Sequence, residues 1–192
     1  MNQFKFLAGD ILVTINEGKS LFDYIKRWAL SSPYSHVFLY MGEMRIAVNG
    51  ILLSHPMLFE SSGRGVVLQS LSNRYSQKVV VLRLKSEHDR RRIPFILEEA
   101  IKLASDSKSF YDYLCIVRFA IPRLICQKLG IPMPLTWHRD EFQICSEAVF
   151  EVLYRAKLVD ILPESVVPLP GDFVTSLLLD EVWRGKLSEE LV

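Results

Sequence analysis

The chain has 192 residues, of which 49% are hydrophobic and 23% charged, and its formal net charge is +1. That length and composition fit one domain over residues 1–192 with a full core, and they exclude a disordered tail. So little net charge sets up no large field, which argues against a dedicated nucleic-acid binder.

The opening segment Met1–Asp10 has too short an apolar stretch for a signal peptide. Ile11–Ile15 is β-branched and follows Gly9-Asp10, so it reads as a first strand. Ser20 is placed to cap a helix over Leu21–Leu30, which Ser31-Ser32-Pro33 ends. His36–Met41 is a nearly continuous apolar run ending at Gly42, as in a buried strand. Arg45–Val48 with Asn49-Gly50 predicts a short strand and a turn. Met57–Glu60 and Val66–Leu71 read as two strands around Ser61–Gly65, and Val79–Leu84 as another.

The second half reads as mostly helical. Arg90–Ala104 carries an apolar stripe at helical spacing. The basic run Arg90-Arg91-Arg92 at its start is expected to be solvated. Tyr111–Leu129 predicts a helix broken near Pro122. Within it Leu114–Cys126 is apolar but interrupted by Arg118 and Arg123, so it is no membrane span, though it could lie against a membrane or an acyl chain. Cys145–Arg155 has apolar residues at Ala148, Val149, Val152 and Leu153, again helical spacing. Past the Pro-rich stretch Pro163–Pro170, Phe173–Val182 reads as a short helix or amphipathic tail. Strands first and helices after make an α+β domain.

The three cysteines are Cys115, Cys126 and Cys145. Their odd number, and spacings of 11 and 19, form no metal or redox pattern, and reducing, cytoplasmic surroundings suit them. No cluster has metal-ligand spacing, so neither a metal nor another cofactor is expected. Cys145 stands apart because it opens a helix. Backbone N–H groups without helical partners and the helix dipole favour its thiolate there. A buried, inert cysteine is the ordinary alternative.

A nucleophilic thiol needs a base, and the base an orienting acceptor. His88 lies in a charged run, His55 in turn-like Ser54-His55-Pro56, and His138 in the loop before Cys145. His36 opens an apolar strand, which holds a ring rigidly. Glu60 ends another apolar run, where a carboxylate is costly unless it has a partner.

Four blocks now fall into an order. Gly9-Asp10-Ile11-Leu12 resembles a "GDI" first strand, and Ser35–Gly42 a "SHVGIYIG" histidine strand. Phe59-Glu60-Ser61 with Gly65-Val66-Val67 resembles an "EA…GV" acid segment, and Cys145–Val149 a "CSE-L-V" nucleophile helix. Pro170-Gly171-Asp172-Phe173 resembles a closing "P-D" segment. In this order they resemble the circularly permuted branch of the NlpC-type papain-like superfamily, the YiiX- and YebB-like hydrolases. In that branch the histidine precedes the cysteine, here by 109 positions.

The resemblance implies a permuted papain-like fold, an antiparallel sheet packed against helices. It implies Cys145 as nucleophile, His36 as general base and then acid, and Glu60 as the residue orienting His36. The segment Met44–Pro56 departs from the family pattern, and it leaves His55 or a main-chain group as a stand-in for Glu60. The implied activity is a cysteine hydrolase or acyltransferase acting on an amide, ester or peptide bond. Its substrate would be a small molecule, a peptide or a lipid-like acyl compound, and peripheral membrane contact is compatible with it. A non-catalytic module binding a lipid or peptide on the same fold is the alternative.

Overall fold

The computed structural model describes residues 4–17, 32–48, 51–62, 65–106, 145–162 and 168–191. The strands are β1 (Ile11–Ile15), β2 (Tyr34–Val48), β3 (Ile51–Ser62), β4 (Gly65–Ser70), β5 (Lys78–Leu84) and β6 (Leu179–Lys186). They form one sheet in the order β4-β3-β2-β1-β5-β6, and each neighbouring pair is antiparallel. The helices are α1 (Glu87–Arg90), α2 (Ile93–Ser105), α3 (Cys145–Arg155) and α4 (Pro170–Thr175).

Side-chain alternation divides the sheet into two apolar faces. Ile11, Val13, Val37, Leu39, Phe59, Val80 and Leu82 face the helices, where they meet Ile96, Ala100, Val149, Phe150, Leu153 and Phe173. Leu12, Phe38, Tyr40, Leu58, Val79 and Val81 face the other way, toward Phe6, Leu71 and Leu187. The central strands are therefore buried on both sides, which is why they read as continuous apolar runs. Helix α3 is buried from Cys145 to Leu153, including Ser146, Glu147 and Glu151. Each Val or Leu of its stripe contributes about 1.5–3 kcal/mol by leaving water.

The structure corrects several expected elements. Arg45–Val48 is no separate strand: it continues β2, and Ile51–Leu53 pairs back on it in one long hairpin. A bulge lets the strand turn there, with Met41 as the extra residue and Gly42 at φ +87°. The helix expected over Arg90–Ala104 is present as α2 with its whole apolar stripe, but it starts at Ile93, and Arg90 ends the short helix α1 before it. Two arginines of the basic run join them to their neighbours. Arg90 Nε donates to Leu84 O at 2.7 Å. Arg92 Nη1 donates to Ala156 O and Lys157 O at 3.2 and 2.6 Å, satisfying carbonyls at the end of α3.

Phe173–Val182 is neither a single helix nor a tail, because α4 ends at Thr175 and the chain then forms β6. As an edge strand of sequence LDEVWRGK, β6 is largely exposed, so it lacks the apolar run that marks its neighbours. The helices expected over Leu21–Leu30 and Tyr111–Leu129, together with Cys115, Cys126, His138 and Leu114–Cys126, lie outside the described residues. Among the described residues no helix is long and apolar enough to cross a membrane.

Candidate active site

The ladder between β2 and β3 starts at Leu39↔Phe59 and runs away from the beginning of β2. Among the described residues, Tyr34–Phe38 therefore pairs with β1 but has no β3 partner. The N-terminus of α3 reaches the sheet at this open stretch. Cys145, the first residue of α3, lies within hydrogen-bonding reach of the His36 imidazole. The main-chain N–H groups of Val37 and Ser146 act on the same thiol and favour its ionised form. Among the described residues the Val37 N–H has no β3 partner, and that of Ser146 is in the first turn of a helix.

His36 is near the start of β2, with its ring centroid 5.7 Å from that of Phe38. Its Nε2 is 2.6 Å from Glu60 Oε2. With Nε2 taken by Glu60, Nδ1 is the ring nitrogen left for the sulfur. His36 keeps 18% of its side-chain surface exposed, whereas Glu60 keeps none.

Glu60 lies on β3 and has further partners. Arg74 Nη2 donates to Oε1 and Oε2, each at 2.5 Å, and Gln69 Nε2 also donates to Oε1. Arg74 ends a 3-10 turn, Leu71–Arg74, that follows β4. Its guanidinium stands 5.8 Å from the centroid of the Phe38 ring and 3.5 Å from His36 Nε2.

Burial alone would discharge all three titratable groups of this set, and their contacts reverse it. Burial pulls His36 down, but the Cys145 sulfur and the Glu60 carboxylate push it up to about 9. Burial pushes the Cys145 thiol up, but His36 and the N–H groups of Val37 and Ser146 bring it below the ordinary thiol range. Burial likewise raises Glu60, and His36 and Arg74 hold it below the usual carboxylate range. These contacts favour a thiolate–imidazolium pair backed by a carboxylate.

The structure thus brings together Cys145, His36 and Glu60. His55 is elsewhere: it is exposed on β3 and 2.6 Å from Ser70 Oγ. The stand-in role left open for it is not supported, because Glu60 itself reaches His36. His88 is solvated as expected, with 74% of its side chain exposed beside Asp89.

Arg74 and Gln69 are absent from the sequence reading. A signal did exist, since a carboxylate ending an apolar strand requires a buried partner. Nothing in the spacing says which cation of the following segment supplies it.

A cleft of about 180 Å³ opens near the end of β1, and none of Cys145, His36 and Glu60 lines it. Its lining is Thr14, the ladder partner of His36, with Ile15, Asn16, Glu17, Ser35, Ser76, Gln77 and Lys78. Among the described residues no group of three or more His, Cys, Asp and Glu side chains is arranged to hold a metal ion.

These features define an α+β protein whose six-stranded antiparallel sheet carries helices on one face and a Cys–His–Glu cluster at an opening in its ladder. No protein-family model and no curated protein matches the sequence. Among solved structures, the metalloprotein yiiX from Escherichia coli O157:H7 is similar, with a TM-score of 0.60 over 96% of this chain and 99% of that one. The two sequences are 19% identical, so the likeness is one of fold: this chain has a YiiX-like fold.

Proposed function

We propose that the chain is a cysteine hydrolase or acyltransferase that cleaves an amide, ester or peptide bond through Cys145, His36 and Glu60. One observation carries this reading: Glu60 holds His36 by Nε2 at 2.6 Å, and the same imidazole is coupled to the Cys145 thiol at the head of α3. The Cys145 thiolate attacks the carbonyl carbon of the substrate, forming the S–C bond. The C–N or C–O bond to the leaving group then breaks, and protonated His36 gives that group its proton. A water or a second acceptor, deprotonated by His36, attacks the thioester, releases the acyl group and restores the thiolate. Glu60 keeps the Nε2–H tautomer and stabilises the imidazolium. The circularly permuted papain-like description of the fold belongs to this same reading, supported by the order His36, Glu60, Cys145 along the chain.

The relative yiiX is described as a metalloprotein. The donors at this site do not fit a cation. Glu60 already accepts four hydrogen bonds, and two of them come from a guanidinium that would stand against any added positive charge. The steps above use no metal.

The test is to trap the acyl-enzyme from panels of acyl and peptidyl esters and read it by intact mass. A mass increase at Cys145 that is lost in Cys145→Ala is expected. A thiol that forms no adduct and resists iodoacetamide below pH 7 would sink the reading.

A further inference from the structure

We propose that Arg74 is a positioning residue for Cys145, His36 and Glu60: its guanidinium keeps Glu60 ionised and aimed at His36, and so keeps the imidazole that faces Cys145 oriented and charged. The proposal deepens the hydrolase reading and rests on it.

The geometry is that of a clamp. One nitrogen of Arg74 bonds both oxygens of a carboxylate whose side chain has no exposed surface. The same nitrogen is 3.5 Å from the ring nitrogen that Glu60 engages. Arg74 is itself held from below by Phe38 and along the chain by a fixed turn. That turn begins at Ser70, whose Oγ accepts from Ser72 N at 3.1 Å, and is anchored by the fully buried Leu71. Gln69, just ahead of the turn, donates to the same carboxylate. The chain thus delivers two donors to Glu60 from either end of one short connection.

The chemical consequence concerns the charge of the imidazole. An ionised Glu60 can only accept, so it holds the Nε2–H of His36 and supports the imidazolium that pairs with the Cys145 thiolate. A buried carboxylate without a cation tends to take up a proton. Protonated Glu60 would no longer balance the imidazolium, so His36 would lose its proton more readily and the thiolate would lose its cation. Arg74 prevents that loss. Among the described residues, the titratable groups meeting here are His36 from β2, Glu60 from β3 and, through His36, Cys145 from α3. Gln69 from β4 and Thr14 from β1 are neutral. Lys78 on β5 is exposed, and Asp10 with Arg83 forms a separate pair.

The experiment measures iodoacetamide alkylation of Cys145 between pH 5 and 9 in wild type, Arg74→Met, Arg74→Lys and Arg74→Ala, with Cys145→Ala as the blank. Circular dichroism checks the fold of each variant. In folded Arg74→Met the acid limb is expected to move up by about one pH unit, a rate about tenfold lower at pH 6. Arg74→Lys retains most of the wild-type rate, and millimolar guanidinium restores Arg74→Ala. If Arg74→Met fails to fold, the lysine variant and the guanidinium rescue decide. An Arg74→Met profile that overlays wild type overturns the proposal while leaving the hydrolase reading intact. Failure of both lysine and guanidinium to restore the rate also overturns it. A wild-type thiol that is inert below pH 7 overturns both.

Discussion

His36 Nε2 lies 2.6 Å from Glu60 Oε2, and the carboxylate that holds it is fully buried. A ring fixed at one nitrogen presents the other in a fixed direction. His36→Gln keeps a polar side chain but removes the proton shuttle. A loss of roughly 10²–10⁴-fold in kcat/KM is expected, with slower alkylation of Cys145 at pH 6. Glu60→Gln should cost less, because the base remains and only its orientation and charge balance suffer. Turnover of the ester that best traps the acyl-enzyme checks both, and equal losses would contradict the division of roles.

The pH profile should be a bell. Cys145 ionises below the ordinary thiol range, so activity rises with pH as the thiolate forms. His36 holds its proton up to about 9, so activity falls as pH passes that value and the leaving group loses its acid. Stability follows the same sign for His36. Its pKa is raised on folding, so its contribution is complete below about 6.5 and is lost as pH rises through about 9. Proton NMR of the His36 ring checks this: its titration should move to lower pH in Cys145→Ser, which removes the thiolate that supports the imidazolium.

Away from the site, Asp10 is almost fully buried at the start of β1. It accepts from Arg83 Nε and Nη2 at 2.7 and 2.8 Å and from Leu7 N at 2.8 Å. Asp10→Asn leaves the guanidinium without its anion. A cost of about 3 kcal/mol is expected, at the low end for broken buried pairs because Arg83 keeps some contact with solvent. A lower urea midpoint with an unchanged slope is the signature.

Gly9 has φ +91°, and a Cβ there would stand 2.9 Å from Ile93 Cγ1. Gly9→Ala therefore meets both backbone strain and overpacking against the start of α2, together about 2–4 kcal/mol. Adding Ile93→Ala should recover the steric part but not the backbone part, which thermal melts of the single and double variants would separate.

The elements easiest to read in the sequence are those whose faces are uniformly apolar. Val79–Leu84 and His36–Met41 lie inside a sheet covered on both sides, and Cys145–Arg155 keeps a stripe at helical spacing. The same rule explains the failures. Leu179–Lys186 is an edge strand in contact with solvent, so it carries no apolar run. Arg45–Val48 was separable from His36–Met41 only because Gly42, which looks like a strand end, sits instead in a bulge that the strand passes through.

The identities of Cys145, His36 and Glu60 as candidates came from residue type and order along the chain. A helix-start thiol, a strand-held imidazole and a costly buried acid are local features. Their meeting is not local. It depends on β3 leaving β2 beyond Leu39, so that the head of α3 finds the Val37 N–H and the His36 ring at an open edge. Arg74 belongs wholly to the tertiary structure. Any cation could have balanced Glu60, and only the packing of the Leu71–Arg74 turn over Phe38 decided which one does.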